Sequence, residues 1–284
     1  MSGKTLPLEP VDDGQPVLPV EVVRRYVDRV DAMACEPLPT GVRVWAGVPY
    51  GPLAQHKFDV YAPARARVAP VLVFFHGGGW TNGYRHWVRF MAAPLVQHGI
   101  VLVAPSYRLA HHARLPAACD DSALLLRQVK AHAATWGGDS GRVFLSGHSA
   151  GGHLAALTSL RAPGVRGCLP ISGVMDLHHP APVAGSPEER VYTQVLEDRD
   201  DDARLSPIHW TRGNTVPFVL SCGEHDTERV LRSNRRMAAL LAQQPARSRL
   251  EVWPGCDHVD THLALADAQH PWYALVRKLI EETS

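Results

Sequence analysis

Six short apolar runs punctuate this 284-residue chain: PVLVFF (70–75), IVLVAP (100–105), RVFLSG (142–147), GCLPIS (167–172), PFVLSC (217–222) and RLEVW (249–253). Runs of this length without polar alternation are the pattern of strands buried on both faces. Helical stretches around 86–98, 116–134, 150–161, 228–243 and 270–282 separate or follow them. Strands alternating with helices require a mostly parallel sheet with helices on both faces. Two earlier segments, GVRVWAGV (41–48) and HKFDVYA (56–62), do alternate apolar with polar residues, as half-exposed antiparallel strands do. The expected class is therefore α/β, with eight strands.

Two segments stand outside this rhythm. Residues 5–19 are rich in Pro, Asp and Gly and read as an irregular lead-in. After them Val20, Val23, Val27 and Val30, with Tyr26 and Met33 alongside, recur at the spacing of one amphipathic helix. From Asp176 to Trp210 a Pro-rich loop and the charged run EDRDDDAR interrupt the sheet pattern, which predicts an insertion of short helices above the sheet. No internal repeat is present, and no boundary divides the chain, so residues 1–284 are expected to form one domain with residues 1–40 as its lead-in.

Composition narrows the partners. Lys and Arg total 29 against 28 Asp and Glu, a formal net charge of +1. That balance carries no electrostatic footprint for nucleic acid or an anionic membrane, and it suits a small substrate. Self-association as a homodimer is compatible with it. Cys35, Cys119, Cys168, Cys222 and Cys256 are odd in number, scattered and without a C-x-x-C pair, which argues against both a disulfide framework and a zinc cage. Cys168 and Cys222 lie in apolar runs, as buried free cysteines do. Neither an apolar leader nor a run of eighteen apolar residues occurs. A soluble, cytoplasmic protein is the expectation.

The chemistry gathers where strands are predicted to end, the place where open α/β sheets bind ligands. Gly147-His148-Ser149-Ala150-Gly151 joins a strand to a helix and has the form G-x-S-x-G. A turn that sharp lifts the serine hydroxyl clear of the sheet, and its glycines admit the neighbouring backbone. His76-Gly77-Gly78-Gly79-Trp80 follows the PVLVFF strand, and successive glycines let backbone N–H groups approach a developing oxyanion. A serine nucleophile needs a base, and the base needs an orienting carboxylate. Asp226 and His258 each stand just past a strand, in the order Ser, acid, His. Glu224 and Asp176 are rival acids, and His262 is the reserve base. The cluster His258, Asp260 and His262 and the pairs His111-His112 and His178-His179 match no established metal-ligand spacing, so no metal and no cofactor are expected.

The segments FDVYAP, HGGGW, PSYRLA, LPAACDDSALLLRQV and GHSAGGHLAAL resemble the α/β-hydrolase superfamily over roughly residues 41–284. Within it they are similar to the hormone-sensitive-lipase-like esterases and the kynurenine formamidases. GHSAG, ISGVMDL, LEDRDDDARLSPI and GCDHVDTH tilt the resemblance towards the formamidases, which often carry an aromatic residue where this chain has Val259. The resemblance implies a catalytic triad of Ser149, Asp226 and His258. It implies oxyanion donors from Gly78, Gly79 and Ala150, with Gly77 as the alternative glycine. Trp80 is then placed to pack on an acyl or leaving group. The implied reaction is hydrolysis of a small carboxylic ester or aryl formamide through an acyl-enzyme. The amino-terminal helix and the 176–210 insertion are expected to form a small lid. Two rival readings stand beside it: a non-catalytic ligand receptor on the same fold, which usually lacks a triad member, and a serine peptidase, which often carries a large additional domain.

Overall fold

The computed structural model describes residues 14–16 and 21–283. Val20 and most of the 5–19 lead-in lie outside the described residues. The sheet strands are β1 (Val42–Pro49), β2 (Lys57–Pro63), β3 (Ala69–Phe75), β4 (Val101–Pro105), β5 (Gly138–His148), β6 (Gly167–Ile171), β7 (Phe218–His225) and β8 (Ser248–Asp257). Their order across the sheet is β1-β2-β4-β3-β5-β6-β7-β8. β2 pairs antiparallel with both β1 and β4. Every pairing from β4 onwards is parallel.

Period-two alternation sorts the buried strand residues into two apolar layers. Val71, Val73 and Phe75 of β3, Val101 and Val103 of β4, and Val143 and Leu145 of β5 belong to one. Leu72 and Phe74, Leu102 and Ala104, and Phe144 between them belong to the other. Apolar faces on both sides need helices on both sides. Ahead of β1 stands α1 (Glu21–Cys35); α2 (Ala92–Gln97) follows a 3₁₀ stretch at Arg85–Met91; then come α3 (Leu115–His132) and α4 (Ala150–Arg161). The insertion contributes the short α5 (Pro187–Arg190) and α6 (Asp201–Leu205), and α7 (Glu228–Leu241), α8 (Asp260–Leu263) and α9 (Pro271–Glu282) complete the chain. α3, α4 and α7 bury Leu125, Leu154 and Met237 in the first layer. The 85–97 segment and α9 bury Met91, Leu95, Trp272 and Val276 in the second. This is the eight-stranded, mostly parallel α/β architecture expected from the strand runs, and it agrees with the fold that the resemblance implies.

The two segments expected to form the lid pack against different apolar partners. α1 seats Tyr26, Val30 and Met33 against Trp87 and Val259 in a small cluster of its own. The insertion instead buries Val191, Val195, Leu196 and Leu205 in the layer that holds Trp80 and Leu109. The apolar partners of α1 come from the 85–91 turn and the stretch after β8. Of the two segments, it is the insertion that shares an apolar layer with Trp80.

Candidate active site

Four chain segments that follow β3, β5, β7 and β8 meet at the carboxyl end of the sheet. The turn from β5 into α4 puts Ser149 at φ 54°, ψ −116°. A non-glycine residue held there stores about 1–3 kcal/mol of backbone strain, which the surrounding structure must impose. The cause is steric. A Cβ on Gly151 would run into the carbonyl oxygens of Phe75 and His76, and one on Gly147 would stand 2.5 Å from the Gly151 carbonyl. Only glycines at these two places let α4 start this close to β3.

Asp226 follows β7 and His258 follows β8, and the structure brings both to Ser149. Nε2 of His258 lies 2.9 Å from the Ser149 hydroxyl, and its Nδ1 donates to Oδ1 of Asp226 at 2.7 Å. The Asp226 side chain is fully buried, whereas that of His258 keeps 27% of its surface. Burial alone would raise the Asp226 carboxyl pKa; hydrogen bonds from His258, Ser172 and the Thr227 amide outweigh it and hold the pKa below the ordinary value. Asp226 is thus kept ionised, and it fixes the imidazole tautomer whose Nε2 is free to accept a proton.

The rival residues are occupied elsewhere. Asp176 pairs with Arg236 at 2.6 Å, and Glu224 accepts from the Gly255 amide at 3.0 Å. His262 is wholly buried, and its Nδ1 is hydrogen-bonded to the Tyr26 hydroxyl at 2.8 Å. Asp260, two residues earlier, accepts from the Asp257 amide, so His258, Asp260 and His262 each have a different partner.

The glycine loop passes beside Ser149. Gly78 and Gly79 have φ of 119° and 61°. The Gly78 carbonyl accepts from the amides of Thr81 and Asn82, which closes the turn. Gly77 comes nearest to Ser149, for a Cβ there would stand 3.4 Å from that of Ser149, while one on Gly79 would meet only the Thr81 hydroxyl at 3.9 Å. Among the described residues no group accepts a hydrogen bond from the amides of Gly77, Gly78 or Gly79. Ala150 begins α4, where the first amides of a helix lack intrahelical partners. Trp80 is buried at φ 61° and meets the ring of His153 edge-on at 5.1 Å. Its indole nitrogen has no hydrogen-bond partner.

Several residues in this neighbourhood escaped the sequence reading. His148, inside the nucleophile motif itself, is buried and donates from Nε2 to the His258 carbonyl at 2.8 Å. Thr261 donates to the same carbonyl at 2.8 Å and is hydrogen-bonded to Ser172. Gln15 pairs with both the amide and the carbonyl of Gly83, behind the glycine loop. For His148 the signal was present in G-x-S-x-G, but its partner lies 110 residues away.

A family model for the α/β hydrolase fold matches residues 72–262. A kynurenine formamidase from Salmo salar is 27% identical over 244 residues, covering 82% of this chain and 81% of that protein. A probable isoprenylcysteine alpha-carbonyl methylesterase from Oryza sativa subsp. japonica is 33% identical over 270 residues, covering 84% of this chain and 61% of that protein. Among solved structures, a thermophilic esterase from Thermogutta terrifontis with propionate bound superposes with a TM-score of 0.69 at 25% identity, covering 86% of this chain and 94% of that one.

Proposed function

The chain belongs to the α/β-hydrolase family, and from that premise we propose that it is a serine hydrolase acting on a small carboxylic ester or aryl formamide through an acyl-enzyme. The observation that carries this reading is the unbroken hydrogen-bond line from Asp226 through His258 to Ser149, at 2.7 and 2.9 Å. His258 takes the Ser149 proton as the hydroxyl oxygen attacks the substrate carbonyl. The oxyanion is met by the Ala150 amide and two amides of the Gly77–Gly79 run. Asp226 stabilises the imidazolium that forms. His258 then returns the proton to the leaving alcohol or arylamine, and water attacks the acyl-enzyme by the same route in reverse. No step needs a cofactor. The same reading takes the described chain as one catalytic domain, with residues 176–210 as an insertion covering the acyl side.

The relatives lend support to both substrate classes. A formamidase favours the formamide, and a methylesterase together with a propionate-bound esterase favours a small ester. Purified protein assayed against N-formylkynurenine and short p-nitrophenyl esters separates the two. Ser149→Ala is expected to lower turnover by about 10⁴-fold or more while the protein remains folded. Substantial activity in that variant would remove Ser149 as the nucleophile and the proposal with it.

A further inference from the structure

We propose that His148 is a positioning residue, holding the His258 backbone and the glycine loop in register with Ser149; this rests on the triad reading above. A carbonyl oxygen only accepts, so the 2.8 Å contact with His258 requires the Nε2–H tautomer of His148. The opposite edge of the ring faces the glycine loop. A Cβ on Gly77 would stand 2.8 Å from Nδ1 of His148, and only a glycine lets the imidazole lie this close. One ring therefore touches the segment after β3 and the segment after β8, and its own backbone leads into Ser149.

The ring is itself braced. His262 stacks on it, with centroids 5.1 Å apart and planes 13° apart, and Tyr26 of α1 lies 5.7 Å away on a tilted plane. Nδ1 of His148 is buried without a hydrogen-bond partner. An aliphatic side chain would fill this space without leaving a nitrogen unpaired. The feature that an aliphatic residue lacks is the N–H that reaches the His258 carbonyl. Thr261 supplies the second donor to that carbonyl, so the base is held by its backbone as well as by its bond to Asp226.

The test compares His148→Gln, His148→Asn and His148→Leu in the full chain, with Thr261→Val as a companion. A glutamine amide reaches the position of Nε2, an asparagine amide falls short of it, and leucine only fills the space. Assays with p-nitrophenyl acetate should show kcat falling by about 10–100-fold in the Leu and Asn variants, the cost of a small misplacement of reacting groups. KM should stay within about threefold, since the His148 side chain is buried. The Gln variant should recover most of kcat, and Thr261→Val should lose less than His148→Leu. If His148→Leu fails to fold, Asn against Gln carries the comparison. A folded Leu or Asn variant with kcat within about threefold of the parent overturns the proposal, as does a Gln variant as impaired as the others. Ser149→Ala runs alongside: activity surviving there would strike down the triad reading, whatever the His148 variants do.

Discussion

Tyr26 on α1 and His262 on α8, 236 residues apart in sequence, are joined by a 2.8 Å hydrogen bond between the phenol and Nδ1. Both are buried, and His262 also stacks on Phe74 of β3 at 5.2 Å. The helix that precedes the sheet thereby reaches the imidazole of His148, the residue before Ser149.

Tyr26→Phe should destabilise the protein by about 1–3 kcal/mol, because it leaves Nδ1 of His262 buried and unpaired while changing little volume. Denaturant unfolding checks this: the midpoint should fall at an unchanged slope. An unaltered midpoint would mean that the bond contributes nothing net. Turnover should be far less affected than stability, since the phenol is not within the Asp226–His258–Ser149 line.

Among the acids, only Asp226 is bonded to His258. Asp226→Asn should drop kcat by about 10⁴-fold with the fold retained, because the amide favours the wrong imidazole tautomer. Asp176→Asn removes a pair whose Arg236 side chain is 57% exposed, and such pairs contribute about 0–1 kcal/mol. Its activity should stay close to wild type, as should that of Glu224→Gln. Comparable losses from Asp226→Asn and Asp176→Asn would contradict the assignment.

Much of the fold can be read from the strand runs because burial on both faces leaves a compact apolar signature. The alternation Val71, Val73, Phe75 against Leu72, Phe74 is visible in the sequence once a strand is assumed. Gly147 and Gly151 announce the turn because nothing larger fits beneath the Phe75 carbonyl. Chain order nominated three acids, however, and strand-end position alone does not separate them. What separates them is side-chain pairing, with Arg236 reaching Asp176 from α7. The destination of α1 was equally hidden. Its apolar spacing shows that one face is buried, but the covering surface is built from Trp87 and Val259, far apart in sequence.

Four buried imidazoles make stability pH-dependent. Burial lowers His76 and His153 to about 4, burial and then His76 lower His262 to about 3, and burial with His262 and His258 puts His148 well below its ordinary value. In the unfolded chain each takes up a proton near pH 6.5. Between that pH and about 4 the unfolded state binds more protons, so stability falls as the pH drops, by roughly 1.4 kcal/mol per pH unit for each group. Asp226 acts in the same direction lower down: its depressed carboxyl stabilises the native state above about pH 4, and that contribution is lost on further acidification. Calorimetric unfolding at pH 5 in buffers of different ionisation enthalpy should register an uptake of about three to four protons from these histidines. An uptake below about one proton would mean that they are already charged in the folded protein.

The last prediction concerns acyl length. Trp80 sits directly after the glycine loop, and the insertion lines the same apolar layer with Val191, Val195, Leu196 and Leu205. His153, four residues beyond the nucleophile, ties the two together: its ring meets Trp80 edge-on, and its Nε2 donates to the Leu205 carbonyl at 2.7 Å. If the acyl group of the proposed reaction enters on this side, that packing would suit a formyl or short acyl group and would keep water from the oxyanion. Across p-nitrophenyl esters from acetate to dodecanoate, kcat/KM should therefore fall steeply with chain length. Trp80→Ala should shift the optimum to longer chains, at a stability cost of about 3–5 kcal/mol for an emptied indole site. A flat profile in the parent protein would sink the idea. So would a Trp80→Ala variant that folds and keeps the parent's preference, because the acyl chain would then have to lie elsewhere.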